Sequence, residues 1–110
     1  MKIYIAGPIT TNLENWQKCF SEAEDYLYNK YPTAQIVNPL TLENRPECAE
    51  AREMYEEGSE ELWSWMLRRD ICELMHCSHI YLLKGWENSR GARLELRTAL
   101  DVGIKPIFEI

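Results

Sequence analysis

The chain has 110 residues, a net charge of −6, and 45% hydrophobic against 27% charged residues, which predicts one globular domain with its own core and excludes a disordered chain. No apolar run approaches the ~20 residues of a membrane span. The opening MKIYIAGPIT, with one Lys and a short apolar stretch, is too brief for a signal peptide, so a cytosolic protein is expected, and its acidic balance argues against a nucleic-acid polymer as partner.

Residues 2–6 form a β-rich run ended by Gly7-Pro8. Thr11 with Glu14 fits a capping box. Trp16, Phe20, Ala23 and Leu27 then fall on one helix face, and the helix should end near 29–31, before Pro32. Residues 35–38 predict a short second strand stopped by Pro39, and residues 40–48 a loop. Between Glu43 and Glu61 stand eight Glu against Arg45 and Arg52, so this segment holds the whole net charge. Its thin apolar face predicts a solvated helical excursion over 49–60. A firmer helix follows over 62–75, with Leu67, Ile71 and Leu74 as its core stripe.

Residues 79–83 form a third, uncharged strand ending at Lys84-Gly85. Ser89 caps a helix running to about Val102, with Ala92, Leu96 and Ala99 facing inward, and Gly103 stops it. Residues 104–108 are the last strand, in which Pro106 suits an edge position. The alternation predicts an α/β fold: a flavodoxin- or Rossmann-like parallel sheet of about four strands, with helices on both faces. The third and fourth strands are apolar enough that both their faces should be covered.

Cys19, Cys48, Cys72 and Cys77 form no CxxC pair and are expected as reduced thiols. Cys72, His76, Cys77 and His79 cluster in sequence, but no second ligand pair stands at finger spacing, so no metal is expected.

In such a sheet a ligand sits beyond the carboxyl ends of the strands where strand order reverses, here between the first and third strands. The loops 7–11 and 85–91 should face each other there. GPITTN lacks both the GxGxxG fingerprint and a following GK[ST]. Ser89 at a helix cap with Arg90 beside it offers a small phosphate or carboxylate site, the alternative being an ordinary cap with a surface Arg. Glu95 falls between Ala92 and Ala99 and leans back over Ala92 and Gly91. That sets a carboxylate beside empty space able to take a sugar. A salt bridge to Arg93 or Arg97, or a partner-facing role, leaves its small neighbours unexplained. Asp70, between Leu67 and Leu74, is a second candidate carboxylate. Pairing with Arg68 or Arg69 competes, and its helix position places it below the strand ends.

Through MKIYIAGPIT, Asn38-Pro39, MLRRDI (66–71) and IYLLKGWENSRGARLE (80–95), the chain resembles the nucleoside 2-deoxyribosyltransferase-like superfamily. The likeness spans nearly the whole chain except the acidic insert at about 43–61. It looks closest to a small bacterial and phage branch similar to deoxynucleoside 5′-monophosphate N-glycosidases. The resemblance implies that Glu95 attacks the anomeric carbon of a 2′-deoxynucleoside or its monophosphate, the base leaves, and water or a second base resolves the glycosyl-enzyme. It implies that Tyr4 orients Glu95 and that Asp70 assists the departing base. Gly7, Pro8, Ile9, Asn38, Trp86, Ser89, Arg90 and Gly91 are its candidate substrate-binding residues. Trp86 either stacks on the base or packs under its loop. No metal or organic cofactor is implied.

Base-exchanging members of that superfamily usually carry an acidic residue where this chain has Ser89, and its monophosphate N-glycosidases carry Ser. The expected reaction is therefore hydrolysis of a (2′-deoxy)nucleoside 5′-monophosphate. Exchange of bases and non-catalytic nucleotide binding are the alternatives. Many relatives have Cys-Asp before the third core strand, whereas here Ser78 follows Cys77. The tryptophan-rich segment 62–66 suggests exposed aromatic surface, and with it a homodimer or homotetramer.

Overall fold

The computed structural model describes residues 1–8, 13–42 and 44–110. The first strand, β1 (Lys2–Ala6), is buried from Ile3 onward. Ile3 and Ile5 face one side and Tyr4 and Ala6 the other, so the strand requires a layer on each side. Strands β2 (Gln35–Val37), β3 (His79–Leu82) and β4 (Lys105–Phe108) join it in the order β2-β1-β3-β4. Every pairing is parallel, with Tyr4 in register with Val37 on one side and Ile80 on the other. Strand order therefore reverses between β1 and β3, as the sequence predicts.

Helix α1 (Leu13–Lys30) covers one face, its Trp16, Phe20, Ala23 and Leu27 packed with Ile3, Ile5, Tyr81 and Leu83. The predicted Thr11–Glu14 box lies outside the described residues and side chains. On the other face Leu74 of α4 (Glu60–Leu74) and Ala92, Leu96 and Ala99 of α5 (Arg90–Asp101) pack on Tyr4, Ala6, Ile80 and Leu82. Among the described residues no helix is long and apolar enough to cross a membrane.

The structure departs from the sequence reading in three places. Residues 40–48 are not a loop. A short helix α2 (Pro39–Leu42) forms because Asn38 Oδ1 accepts from Leu40 N at 3.0 Å, and α3 (Pro46–Met54) starts on a proline that lacks only an already unneeded donor. Nor is the acidic excursion solvated on all sides. It buries Cys48 and Ala51, and Arg45–Glu73 at 3.0 Å and Arg69–Glu47 at 2.6 Å tie α3 to α4. Finally, β4 is not covered on both faces. It is the edge strand, and Lys105 and Phe108 are exposed.

Candidate active site

The carboxyl ends of β1 and β3 open onto a cavity of about 520 Å³, walled by α5 on one side and by α4 with the preceding turn on the other. Gly7, directly after β1, forms part of the wall. A Cβ on Gly7 would stand 2.8 Å from Leu83 Cβ, so only glycine allows the first loop to cross the end of β3 so closely. After β3 the chain turns at Gly85 with φ +89, makes one 3₁₀ turn over Trp86–Asn88, and delivers Ser89 as the cap of α5. Ser89 Oγ accepts from Ala92 N at 3.2 Å. Ser89, Gly91, Ala92 and Glu95 then follow one another along the cavity wall.

Glu95 is only 6% exposed. The buried Tyr4 hydroxyl donates to its Oε2. Asp70 of α4 lines the same cavity. Burial, and secondly the negative charge of Asp70, push the Glu95 carboxyl up to about 8, while the Tyr4 hydrogen bond pulls it down. The Tyr4 phenol is held well above its ordinary 10, by burial and then by the Glu95 charge. The Glu95 carboxyl therefore keeps its proton to higher pH than an ordinary glutamate, and the carboxylate becomes available as pH rises.

Tyr4, Gly7, Asp70, Ser89, Arg90, Gly91 and Glu95 are thus brought together, with Tyr4 reaching the cavity through Glu95. Asp70 is not below the strand ends, as its helix position suggests. It lines the cavity wall together with Leu67 and Trp63 of the same helix. The remaining candidates lie elsewhere. Asn38 is buried beneath α2, where Nδ2 donates to Glu24 Oε2 at 3.1 Å. Trp86 packs on Phe108, ring centres 5.9 Å apart, and against the core rather than in the cavity wall. Pro8 sits against Gly85, outside the lining. Ile9 lies outside the described residues. Ser78 is at the opposite end of the sheet, bridging to Lys2 N at 3.0 Å and His79 Nδ1 at 2.8 Å.

Sequence reasoning missed the contribution of the acidic insert. Arg52, Glu57, Gly58 and Ser59 of the insert, with Trp63 on the helix that follows it, complete the outer wall. The available signal was the spacing of Trp63, Met66, Leu67 and Asp70, one helix face at i, i+3, i+4 and i+7. That face meets the cavity, so residues 62–66 are buried or half-buried rather than an open aromatic patch. The exposed large apolar side chains include Leu94, Leu100, Val102 and Phe108, on α5 and β4 and between them.

A family model described as a domain of unknown function, DUF4406, matches residues 1–108. The chain belongs to the DUF4406 family. No curated protein matches it. Among solved structures, this DUF4406 member is similar to that of a 2-deoxyribosyltransferase from the psychrotolerant bacterium Bacillus psychrosaccharolyticus, with a TM-score of 0.69 and 20% identity over 98% of this chain and 71% of the other. At that identity the likeness shows a shared fold: a parallel α/β sheet of the deoxyribosyltransferase kind.

Proposed function

We propose that this chain breaks the N-glycosidic bond of a nucleoside or nucleoside 5′-monophosphate, with Glu95 as nucleophile. The observation that carries the reading is the Glu95 carboxyl, buried in a cavity wall, held by Tyr4 and facing the same space as Asp70. In the first step the ionised Glu95 oxygen bonds to C1′ of the pentose. The C1′–N bond breaks, its electrons go to the base, and Asp70 or a water hands the base a proton. Tyr4 holds the nucleophile in place through its hydrogen bond. In the second step a second base or water attacks C1′, gives up a proton, and releases Glu95.

The reading that the fold neighbour favours is pentosyl transfer between bases, since that neighbour is a 2-deoxyribosyltransferase. Hydrolysis of a 5′-monophosphate is the second reading, supported by Ser89 in the wall and Arg90 at the mouth, which suit a phosphate. Gly7 and Gly91 keep the sugar's approach open. The proposed setting is the cytosol, with a homodimer or homotetramer built on the exposed apolar residues of α5 and β4. A light-scattering mass equal to one chain removes that assembly.

The test is incubation with a panel of nucleosides and 5′-monophosphates, followed by chromatography for free base, with and without an acceptor base. A new nucleoside formed only with acceptor supports transfer; free base without acceptor supports hydrolysis. Glu95→Ala should abolish both. Tight binding without base release from any compound would instead make the chain a nucleotide binder.

A further inference from the structure

Arg90 is oddly placed for a helix residue. It is the first residue of α5, where unpaired backbone N–H groups disfavour a cation, and no acidic residue stands in that first turn. Its charge is met from across the cavity mouth instead. Nη1 lies 2.9 Å from Glu60 Oε1 at the start of α4, and the guanidinium carbon stands 3.8 Å from the centre of the Trp63 ring. The two ion-pair side chains are 62% and 69% exposed, so water and salt weaken their attraction. Trp63 and Arg90 line the same cavity as Glu95 and Asp70.

A guanidinium and a nucleobase are both flat, and both stack on an aromatic face. Arg90 therefore covers a ring face that suits a base. The contacts that hold it there are weak ones, an exposed ion pair and a solvent-facing cation–π contact. Arg90 also directly follows the Ser89 cap, and both line the cavity that Glu95 faces.

The geometry points to a displaceable latch: Arg90 covers Trp63 until substrate arrives, the base then takes that ring face, and the guanidinium leaves Glu60 for the substrate's anionic group. This deepens, and rests on, the nucleoside reading above. It assigns base recognition to Trp63 on the insert side of the cavity and makes Glu60 the group that holds the latch shut. An anionic substrate supplies its own replacement for Glu60, whereas an uncharged nucleoside must displace Arg90 without one.

The test is equilibrium binding by calorimetry in a Glu95→Gln background, which blocks turnover. The probes are 2′-deoxynucleoside 5′-monophosphates, the matching nucleosides, and 2-deoxyribose 5-phosphate. Loss of a base–ring stack is expected to weaken nucleotides and nucleosides about tenfold in Trp63→Leu, leave the base-free sugar phosphate within about twofold, and spare most binding in Trp63→Phe. Glu60→Gln, an exposed change that leaves the core untouched, is expected to tighten the monophosphates about two- to threefold by freeing Arg90. Equal weakening of nucleotide and sugar phosphate by Trp63→Leu, no effect of Trp63→Leu, or unchanged or weaker binding in Glu60→Gln overturns the latch. If the wild type releases base while Trp63→Leu binds normally, the latch falls and the glycosidic reading stands. If Trp63→Leu loses nucleotide binding but the wild type never releases base, cleavage falls and the latch stands. If no probe binds, both fall.

Discussion

Glu95→Gln keeps the shape of the side chain and the hydrogen bond from Tyr4 but removes a titrating group from the centre of the fold. The Glu95 carboxyl is held at about 8, against an ordinary value of 4.5. Between those two values the folded chain keeps a proton that the unfolded chain has given up, so stability falls as pH rises. Each pH unit in that window costs about 1.4 kcal/mol, and the loss approaches about 5 kcal/mol above pH 8. Below pH 4.5 both states are protonated and the group contributes nothing to the slope. A loss of this size is a large part of the ~5–15 kcal/mol that holds a typical domain together. Urea unfolding of both proteins at pH 5, 6, 7 and 8.5 measures it. The stability of Glu95→Gln relative to wild type should climb by several kcal/mol across the series. A fixed offset from the extra amide of Gln leaves that slope unchanged, and other titrating groups, shared by both proteins, cancel. Two profiles that run parallel from pH 5 to 8.5 would refute the buried, proton-holding Glu95.

The Tyr4 hydrogen bond is the influence that lowers the Glu95 carboxyl, so Tyr4→Phe should move the alkaline rise of kcat/KM above pH 8 as well as reduce its plateau; a profile that shifts towards acid contradicts the assignment. Gly7→Ala places a methyl 2.8 Å from Leu83 Cβ, and should lower stability by about 1–3 kcal/mol in urea unfolding; wild-type stability would show that the first loop yields freely. Cys19 and Cys72 are exposed while Cys48 and Cys77 are buried, and burial pushes the Cys77 thiol up to about 11. A chromogenic disulfide reagent should therefore label two thiols quickly and the other two only on unfolding.

The parts of the fold that were legible are those where one local pattern dominates. Strand–helix alternation, the Ser89 cap and the Gly7-Pro8 and Gly85 turns are short-range signals, and they place the crevice between β1 and β3. Glu95 stood out because a carboxylate over Gly91 and Ala92 has nothing beneath it to pair with. The misread parts depend on contacts distant in sequence. Nothing near residues 43–61 announces that Arg45 and Glu47 will find Glu73 and Arg69 on the next helix. Hence the insert read as a solvated excursion, and its place in the cavity wall was missed. Trp86 and Trp63 are both tryptophans beside a candidate loop or stripe. Only the three-dimensional path sends one against Phe108 and the other to the cavity. Asn38 reads as a site residue from its motif, yet its side chain is occupied with Leu40 N and Glu24.

The most direct test of the account is to look for the bond it requires. Wild-type protein is incubated with 2′-deoxynucleosides and their 5′-monophosphates, quenched in acid within a turnover, and mapped by peptide mass spectrometry. The account predicts released base together with one pentosyl group, or pentosyl 5-phosphate, esterified to Glu95, and neither in Glu95→Ala. Base release that persists undiminished in Glu95→Ala would contradict it.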